Sequence, residues 1–329
     1  MKAVVLHGEV SEKAGKDEED VLVQVDVVRR SLMEQGHITV IVPVSMDLKR
    51  IVDILANINP DLVFNLVETI AGHGQLIHIA PAVMDVLGIP YTGAKTEAMF
   101  LTSNKVLAKK ILAAEELPTP RLFMADERQN TFIQGPYIIK AIWEHASVWL
   151  DENSIVAATD ENHLHQVLLS QQEHLGMTCF AELYIDGREF NLSLLAGNMG
   201  PEVLPPAEIL FHDYPPDMAK VVDYRSKWVE DSFEYLHTPR CFEFSDEDKP
   251  LILQLKDMAI RCWNLFGLRG YARVDFRVDE NNQPWVLEIN TNPCLSPDGG
   301  FSAAVEQAGL TFNQAIERIV LDAIHYRHS

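Results

Sequence analysis

Arg273-Val274-Asp275-Phe276-Arg277-Val278, a polar turn, then Trp285-Val286-Leu287-Glu288-Ile289-Asn290-Thr291-Asn292-Pro293 is the stretch that decides the fold. Apolar and polar residues alternate through both halves, so each reads as a half-buried strand with two different faces. With residues 280–283 as the turn, antiparallel pairing sets Asp275 opposite Glu288 and Arg273 opposite Asn290, because facing positions keep a constant sum. Asp275, Glu288 and Asn290 then share the polar face. Like charges that face each other across strands are destabilising. Burial makes them more so unless one is protonated or a cation lies between them. Carboxylate and amide oxygens suit hard Mg2+, which is held by one or two carboxylates while substrate phosphates fill other positions. The residues therefore point to a metal-nucleotide site. An exposed hairpin would let the same charges face water, but the second strand runs into Asn292-Pro293-Cys294-Leu295-Ser296-Pro297-Asp298-Gly299-Gly300, a loop rich in special backbone residues.

The chain around this hairpin has 329 residues, enough for two or three domains, and an apolar content of 47% that supports a sizeable core. A net charge of -21 disfavours binding to a phosphate backbone or to anionic lipid, so neither nucleic acid nor membrane is expected as a partner. A single nucleotide pocket is compatible with that charge, because a few local lysines dominate a small site. The apolar run at residues 3–6 is too short for a signal-peptide core, and no segment approaches the roughly 20 apolar residues of a membrane span. A cytoplasmic protein is expected. Cys179, Cys241, Cys262 and Cys294 lack CxxC or metal spacing and read as reduced thiols.

Residues 1–95 alternate strand and helix signals: strands at 3–6, 38–42 and 62–64, helices at 21–34 and 48–56. This is the pattern of a parallel sheet wrapped by helices, with ligand-facing loops after its strand ends. A helix over 75–87 leads to Gly88-Ile89-Pro90-Tyr91-Thr92-Gly93, which suggests a boundary nearby. From Thr102 a helix carries Lys105, Lys109 and Lys110 until Pro118-Thr119-Pro120 breaks it. Strands at 137–140 and 179–184 flank a helix at 161–174, a small α+β unit. Beyond Glu189 come further strands, an irregular region over 212–244, a helix over 249–266, the hairpin and terminal helices. Lys140 ends an apolar strand, where a lysine is costly unless its ammonium reaches an anion or solvent. The loop after it, residues 141–148, offers a hydroxyl and backbone N–H groups to phosphates.

Together these pieces resemble the ATP-grasp superfamily, specifically D-alanine-D-alanine ligase and its relatives. The resemblance is carried by Gly88-Ile89-Pro90-Tyr91-Thr92-Gly93, the Lys105 helix, Ile138-Ile139-Lys140, Glu144-His145-Ala146-Ser147, Phe180-Ala181-Glu182-Leu183-Tyr184-Ile185-Asp186-Gly187-Arg188-Glu189-Phe190, Tyr224-Arg225-Ser226-Lys227-Trp228 and the hairpin with its Asn-Pro loop. It implies an α/β and α+β, three-domain ATP-grasp architecture: an N-terminal parallel α/β domain (1–95), a central small α+β domain (96–187) and a C-terminal domain with the metal site (188–329). By resemblance, Lys105 and Lys140 contact ATP phosphates, and Glu144 and Ser147 belong to the loop that closes over them. Glu182, Tyr184 and Ile185 form the linker that reads adenine, and Glu189 takes the ribose hydroxyls. Asp275, Glu288 and Asn290 match the ligands of two Mg2+ ions, with Mn2+ as a substitute. Arg273 matches the arginine that stabilises the acyl-transfer intermediate, and Lys227 a phosphate-facing lysine.

The implied chemistry is ATP-dependent joining of a small carboxylate, an amino acid, to an amine through an acyl phosphate. On the substrate side the resemblance points to Glu19 or its neighbour Asp20, to Asn65 and Glu68, to Trp228 where a tyrosine is common, and to Cys294 and Ser296. Three departures stand out: His145, Ala146 and Trp149 in a loop that is Gly- and Ser-rich in the ligases, Cys294 after the Asn-Pro turn, and Gly299-Gly300 where the ligases have a Ser-Leu pair that helps hold the acceptor carboxylate. A homodimer is implied by the relatives. The competing readings are a catalytically inactive ATP-binding regulator and a true D-alanine-D-alanine ligase.

Overall fold

The computed structural model describes residues 1–11, 14–126, 132–144, 150, 154–216 and 218–325. Its N-terminal part runs β1 (Lys2–Gly8), α1 (Lys16–Glu34), β2 (Ile38–Val44), α2 (Leu48–Ile58), β3 (Leu62–Leu66) and α3 (Ile79–Leu87), with the three strands parallel in the order β2-β1-β3. Alternation along β1 divides its side chains between two cores. Ala3 and Val5 pack with Val21, Val25, Val28 and Leu32 of α1, whereas Val4 and Leu6 pack with Ile51 and Leu55 of α2 and Met84 of α3. The expected doubly covered sheet is present; its strands, α1 and α2 extend a few residues beyond their sequence-based limits, whereas the helix expected over 75–87 begins only at Ile79, after a 3-10 turn at Gly74–Leu76.

Next come α4 (Thr96–Ser103) and α5 (Lys105–Ala114), where the sequence suggested one helix from Thr102. Asn104 separates them: its backbone is extended, and its side chain accepts a hydrogen bond from the N–H of Leu107 (2.9 Å), capping the second helix. Lys105 thereby becomes the first residue of a new helix. The central sheet holds β4 (Leu122–Phe123), β5 (Gly135–Ala141), β6 (Ile155–Ala158) and β7 (Cys179–Leu183) in the order β4-β7-β5-β6, all antiparallel, with α6 (Glu161–Leu175) on one face. Tyr137, Ile139 and Ala181 pack on Leu164 and Leu168 of α6. The opposite parity turns Ile138, Lys140 and Glu182 away from α6.

A six-stranded antiparallel sheet follows: β8 (Arg188–Gly197), β9 (Gly200–Val203), β10 (Ala207–Ile209), β11 (Arg240–Cys241), β12 (Tyr271–Val278) and β13 (Pro284–Asn290). The region read as irregular contains α7 (Tyr224–Trp228), α8 (Phe233–Leu236) and β11. The helix α9 (Lys249–Phe266) covers one sheet face through Leu255, Met258, Ala259 and Cys262, which pack on Phe190, Leu192, Val274 and Phe276. The chain ends in α10 (Gly300–Gln307) and α11 (Phe312–His325). Ala315, Ile316 and Ile319 of α11 return to the core formed by β1 and α1, which ties the first sheet to the last.

The hairpin register is as expected at the site, with Asp275 opposite Glu288 and Arg273 opposite Asn290. The turn is different. Phe276 pairs with Val286 and Val278 with Pro284, so a bulge intervenes and the loop spans residues 279–283, pinned by hydrogen bonds from the N–H groups of Asn281 (2.9 Å) and Gln283 (3.0 Å) to Asp279. β12 is not half-buried: every residue except Arg273 is buried, because the polar face is covered too.

Gly187, between β7 and β8, adopts φ +146°, and a Cβ built there would overlap the carbonyl oxygen of Val278. Gly187→Ala is expected to lower the unfolding free energy by at least about 3 kcal/mol, read as a shift in the urea midpoint; an unchanged midpoint would contradict the close approach.

Candidate active site

The face of the central sheet turned away from α6 and the polar face of β12–β13 enclose a cavity of about 950 Å³, counted with its mouth. Lys105, Lys140, Glu144, Glu182, Tyr184, Ile185, Glu189, Lys227, Asp275 and Glu288 all line it, so ten residues singled out from separated segments meet in one place. Ser147 lies outside the described residues, as do His145, Ala146 and Trp149.

Glu288 is the electrostatic focus. Burial would raise its carboxyl, but Lys105, Lys227, Lys140 and Arg273 outweigh that and hold it well below the usual carboxylate range. Lys105 Nζ lies 3.3 Å from Glu288 and donates to the carbonyl of Glu144 at 2.7 Å. Facing Glu288, Asp275 accepts two hydrogen bonds from Arg273 (2.7 and 2.8 Å) and one from Asn191 Nδ2 (2.9 Å). Its carboxyl is nonetheless raised, by burial first, with Arg273 opposing and Glu288 adding to the rise. The repulsion foreseen between the facing acids is thus met by cations on both sides.

Two carboxylates in this setting fit a hard divalent ion whose remaining positions are taken by phosphate oxygens. Among the described residues no group of three or more His, Cys, Asp or Glu is placed to hold a metal, so a cage made by protein acids alone is not the design. Asn290, the third expected ligand, lines a smaller adjoining cavity together with Glu68, Ser103 and Asn292.

Lys140 is held from below. Glu182, 1% exposed, pairs with Lys140 (2.5 Å) and with Lys109 (2.8 Å), which itself is 2% exposed. Burial lowers Lys109, whereas for Lys140 the attraction of Glu182 overcomes burial and raises it. The side chain of Glu182 therefore positions lysines and leaves only its main chain to face a ligand. Lys227 is lowered by burial. It sits on α7, which begins where Asp223 accepts from the N–H of Ser226 (2.8 Å). Its neighbour Trp228 is half-buried and does not line the cavity.

At the far end Glu189 pairs with Arg277 (3.0 Å), and burial raises its carboxyl against that pull. Arg277 also donates to the carbonyls of Gly187 (2.9 Å) and Lys220 and lies over Phe211. Sequence reading assigned no role to Arg277, Lys109 or Leu287. Arg277 carried a signal, since it continues the Arg273, Asp275 parity of β12. Lys109 follows Lys105 at the i+4 helical spacing. Leu287 is different: the bulge sends consecutive side chains, Leu287 and Glu288, into the same cavity, which strict alternation forbids.

The substrate-side expectations need one correction. Glu19 is exposed, and the acid that reaches the Asn-Pro loop is Asp20. Ser296 Oγ (2.7 Å) and Cys294 Sγ (3.1 Å) donate to the Asp20 carboxylate. One helical position of α1 decides the matter, because Asp20 lies one turn before Gln24 on the face turned inward. Gln24, 2% exposed and overlooked in the sequence, donates to Asp20 (3.0 Å) and Glu68 (2.9 Å) and accepts from the N–H of Leu295 (3.0 Å). Asn65 is the other strand-end residue, and its buried Nδ2 has no hydrogen-bond partner among the described residues. It is 1% exposed, its Oδ1 accepts from the N–H of Val67 (3.2 Å), and it shapes the strand-end turn. Burial, Asp20 and Glu68 push the Cys294 thiol up, so it is a hydrogen-bond donor rather than a thiolate.

The family model described as D-ala D-ala ligase C-terminus matches residues 126–321. The chain belongs to the D-alanine-D-alanine ligase family. Among the relatives in this family, a D-alanine--D-alanine ligase of Synechococcus sp. is 30% identical over 260 residues, covering 77% of this chain and 74% of the relative. One from Moorella thermoacetica is 28% identical over 340 residues, covering 97% and 98%. An uncharacterized protein of Sinorhizobium fredii is 29% identical over 310 residues, covering 92% and 88%. The crystal structure of D-alanine--D-alanine ligase from Bacillus anthracis complexed with ATP aligns with a TM-score of 0.74 at 19% identity, covering 100% of this chain and 99% of that one. The fold is accordingly the ATP-grasp architecture, with a parallel sheet at its N-terminus.

Two stability measurements probe the site. Glu182→Gln leaves two buried lysines facing each other and is expected to cost about 3–5 kcal/mol, whereas the double variant Glu182→Leu/Lys109→Met costs less than the sum of its single changes; additive losses in urea denaturation would contradict the buried triad. The second concerns Glu68, whose carboxyl burial raises from 4.5 to about 7, with Gln24 opposing and Asp20 adding. A carboxyl raised on folding contributes stability below its unfolded value that is lost as pH rises through the folded one. In EDTA the wild type should therefore lose about 2 kcal/mol relative to Glu68→Gln between pH 4.5 and about 7. Parallel pH profiles for the two proteins would rule this out.

Proposed function

We propose that this protein is an ATP-dependent ligase that joins a small carboxylate, an amino acid, to an amine through an acyl phosphate. The observation that carries the proposal is the gathering of Lys105, Lys140 and Lys227 around Glu288, opposite an Asp275 gripped by Arg273, in one cavity of a chain whose net charge is -21. Concentrated positive charge beside facing carboxylates suits a polyphosphate with its divalent ion. Its relatives are named D-alanine--D-alanine ligases, so D-alanine is the first substrate to try.

In this proposal Lys105 and Lys140 hold the phosphates, Tyr184, Ile185 and the main chain of Glu182 face the base, and Glu189 takes the ribose hydroxyls. Asp275, Glu288 and Asn290 hold two Mg2+ ions, or Mn2+, which supply charge neutralisation for phosphoryl transfer when bound. A carboxylate is a poor electrophile. Its oxygen attacks the γ-phosphorus, ADP leaves, and the resulting acyl phosphate has a good leaving group. The amine nitrogen then bonds to the acyl carbon, the carbon–oxygen bond breaks with its electron pair going to phosphate, and the nitrogen releases a proton. Arg273 and Lys227 stand where charge develops in these steps, an interaction worth a few kcal/mol. Glu144 and Ser147 belong to the segment that covers the phosphates and excludes water, which would hydrolyse the intermediate.

On the substrate side the proposal gives Glu68, Cys294 and Ser296 to the amino-acid pocket through Gln24 and Asp20, and Trp228 to its rim. The division into domains at about residues 95 and 187 belongs to the same proposal. So does a homodimer, for which exposed Leu22, Val23, Ile38 and Ile41 on the N-terminal part offer an apolar surface. No helix among the described residues is long and apolar enough to cross a membrane.

The test is to mix the protein with MgATP and a panel of amino acids beginning with D-alanine, measuring phosphate and dipeptide together. The two should appear in equal amounts, and Glu288→Ala should reduce both on the order of 10³-fold, equivalent to about 4 kcal/mol. ATP turnover with no amide product from any pair would sink the ligase.

A further inference from the structure

Arg277 is 3% exposed, yet it lines the large cavity and its guanidinium meets three separate segments of the wall. Nη2 pairs with Glu189 Oε2 of β8 at 3.0 Å. Nη1 donates to the carbonyl of Gly187, in the linker between β7 and β8, at 2.9 Å, and Nη2 also donates to the carbonyl of Lys220. The Tyr184 hydroxyl donates to the same Lys220 carbonyl at 3.2 Å, and the guanidinium carbon stands 5.3 Å from the ring centre of Phe211 and 5.9 Å from that of Tyr184. Charge-assisted bonds on the edge of the guanidinium and aromatic rings beside it leave the head one place to stand.

Strand register fixes where along the cavity this happens. Asp275 faces Asn191 and Arg277 faces Glu189 across β12 and β8, so the arginine pair sits one same-face step, about 7 Å, from Asp275, toward the linker that carries Tyr184 and Ile185. Val221 and Val222, which follow Lys220, line the cavity as well. A nucleoside triphosphate whose phosphates lie by Lys105 and Lys140 has its sugar and flat base to place on this stretch. A carboxylate has about four acceptor positions, so one ion pair leaves Glu189 room for sugar hydroxyls. Burial raises the Glu189 carboxyl and Arg277 is the first influence opposing that rise, which favours the charged form, the stronger acceptor.

Resting on the reading of this cavity as a nucleotide site, we propose that Arg277 is a positioning residue for nucleotide selection. It orients Glu189 toward the sugar hydroxyls and, through the Lys220 carbonyl, anchors Val221 and Val222 against the base. It makes and breaks no bond. Its loss therefore weakens nucleotide binding, and recognition of the sugar in particular, with little change in the chemical step. An arginine that only held the fold together would weaken ATP and its deoxy analogues alike.

The wild type, Arg277→Met, Arg277→Lys, Glu189→Gln and the double variant Arg277→Met/Glu189→Gln are each given ATP, 2′-deoxy-ATP and 3′-deoxy-ATP with Mg2+. Kd is read by calorimetry, and KM and kcat in the amide-forming assay. The wild type should bind ATP about 10- to 100-fold more tightly than at least one deoxy analogue. Arg277→Met should raise Kd and KM for ATP about 30-fold and cut that preference below about 3-fold, with kcat moving less than about 3-fold. Arg277→Lys, which can still pair with Glu189, should keep an intermediate preference. In the Glu189→Gln background, removing the arginine should cost no further sugar preference. The preference is a ratio within one protein, so partial unfolding of Arg277→Met does not disturb it, and Arg277→Lys carries the test if that variant does not fold. An Arg277→Met protein, or failing it Arg277→Lys, that keeps the full preference would overturn the role, as would a wild type that does not distinguish the three nucleotides. These ratios with no amide product from any amino-acid pair would sink the ligase and leave the role of Arg277 standing, whereas a wild type that does not bind ATP would sink both.

Discussion

Two acids that face each other across a buried antiparallel pair make the rest of the site necessary. Asp275 and Glu288 are opposite in register, on strands whose other face is sealed by α9. In low dielectric such a pair cannot stay ionised alone. Arg273 grips Asp275, Lys105 reaches Glu288, and Lys140 and Lys227 add their charge. These cations come from four different segments, so the segments are brought together around the hairpin. Four cations gathered around the two facing acids suit a polyphosphate with its divalent ion.

Support for the cations lies one layer further out. Glu182 holds Lys140 and Lys109 from beneath the cavity, and Glu189 holds Arg277, which in turn ties Gly187 and Lys220 across the cleft. These pairs fix side chains that would otherwise sample many rotamers, and a buried lysine without its acid would be costly. On the other side of Arg273, a polar network of Asp20, Gln24, Glu68, Cys294 and Ser296 joins α1 to the Asn-Pro loop. The helix α11 packs on α1 and β3, so the N-terminal sheet and the β12–β13 hairpin are held in fixed relation by an apolar core.

Much of this was legible in the residues. The hairpin register followed from alternation, because the side-chain period of a strand is two and a polar face that includes two acids and an amide admits few pairings. The Lys105 helix, the Lys140 strand and the Glu182–Glu189 stretch are local patterns whose order along the chain identified the family. The bulge at Leu287 was not legible, since one extra residue in a strand leaves no mark in an alternating string. Nor was the choice between Glu19 and Asp20, which differ by one position on a helix and hence by about 100° of rotation. Gln24 was hidden for a related reason: a lone glutamine on an apolar stripe looks the same whether it is a tolerated exception or the hub of a network.

By itself the sequence determined most of the element types outside residues 212–244, the pairing of Asp275 with Glu288 and the kind of chemistry those residues permit, because these depend on periodicity and side-chain type within short spans. Only the tertiary structure decided which acid of α1 faces the Asn-Pro loop, that Glu182 serves lysines with its side chain, and that Asn65 shapes a turn. Those outcomes depend on how sheets and helices more than a hundred residues apart pack against each other, and packing is set by the whole core at once rather than by any local stretch.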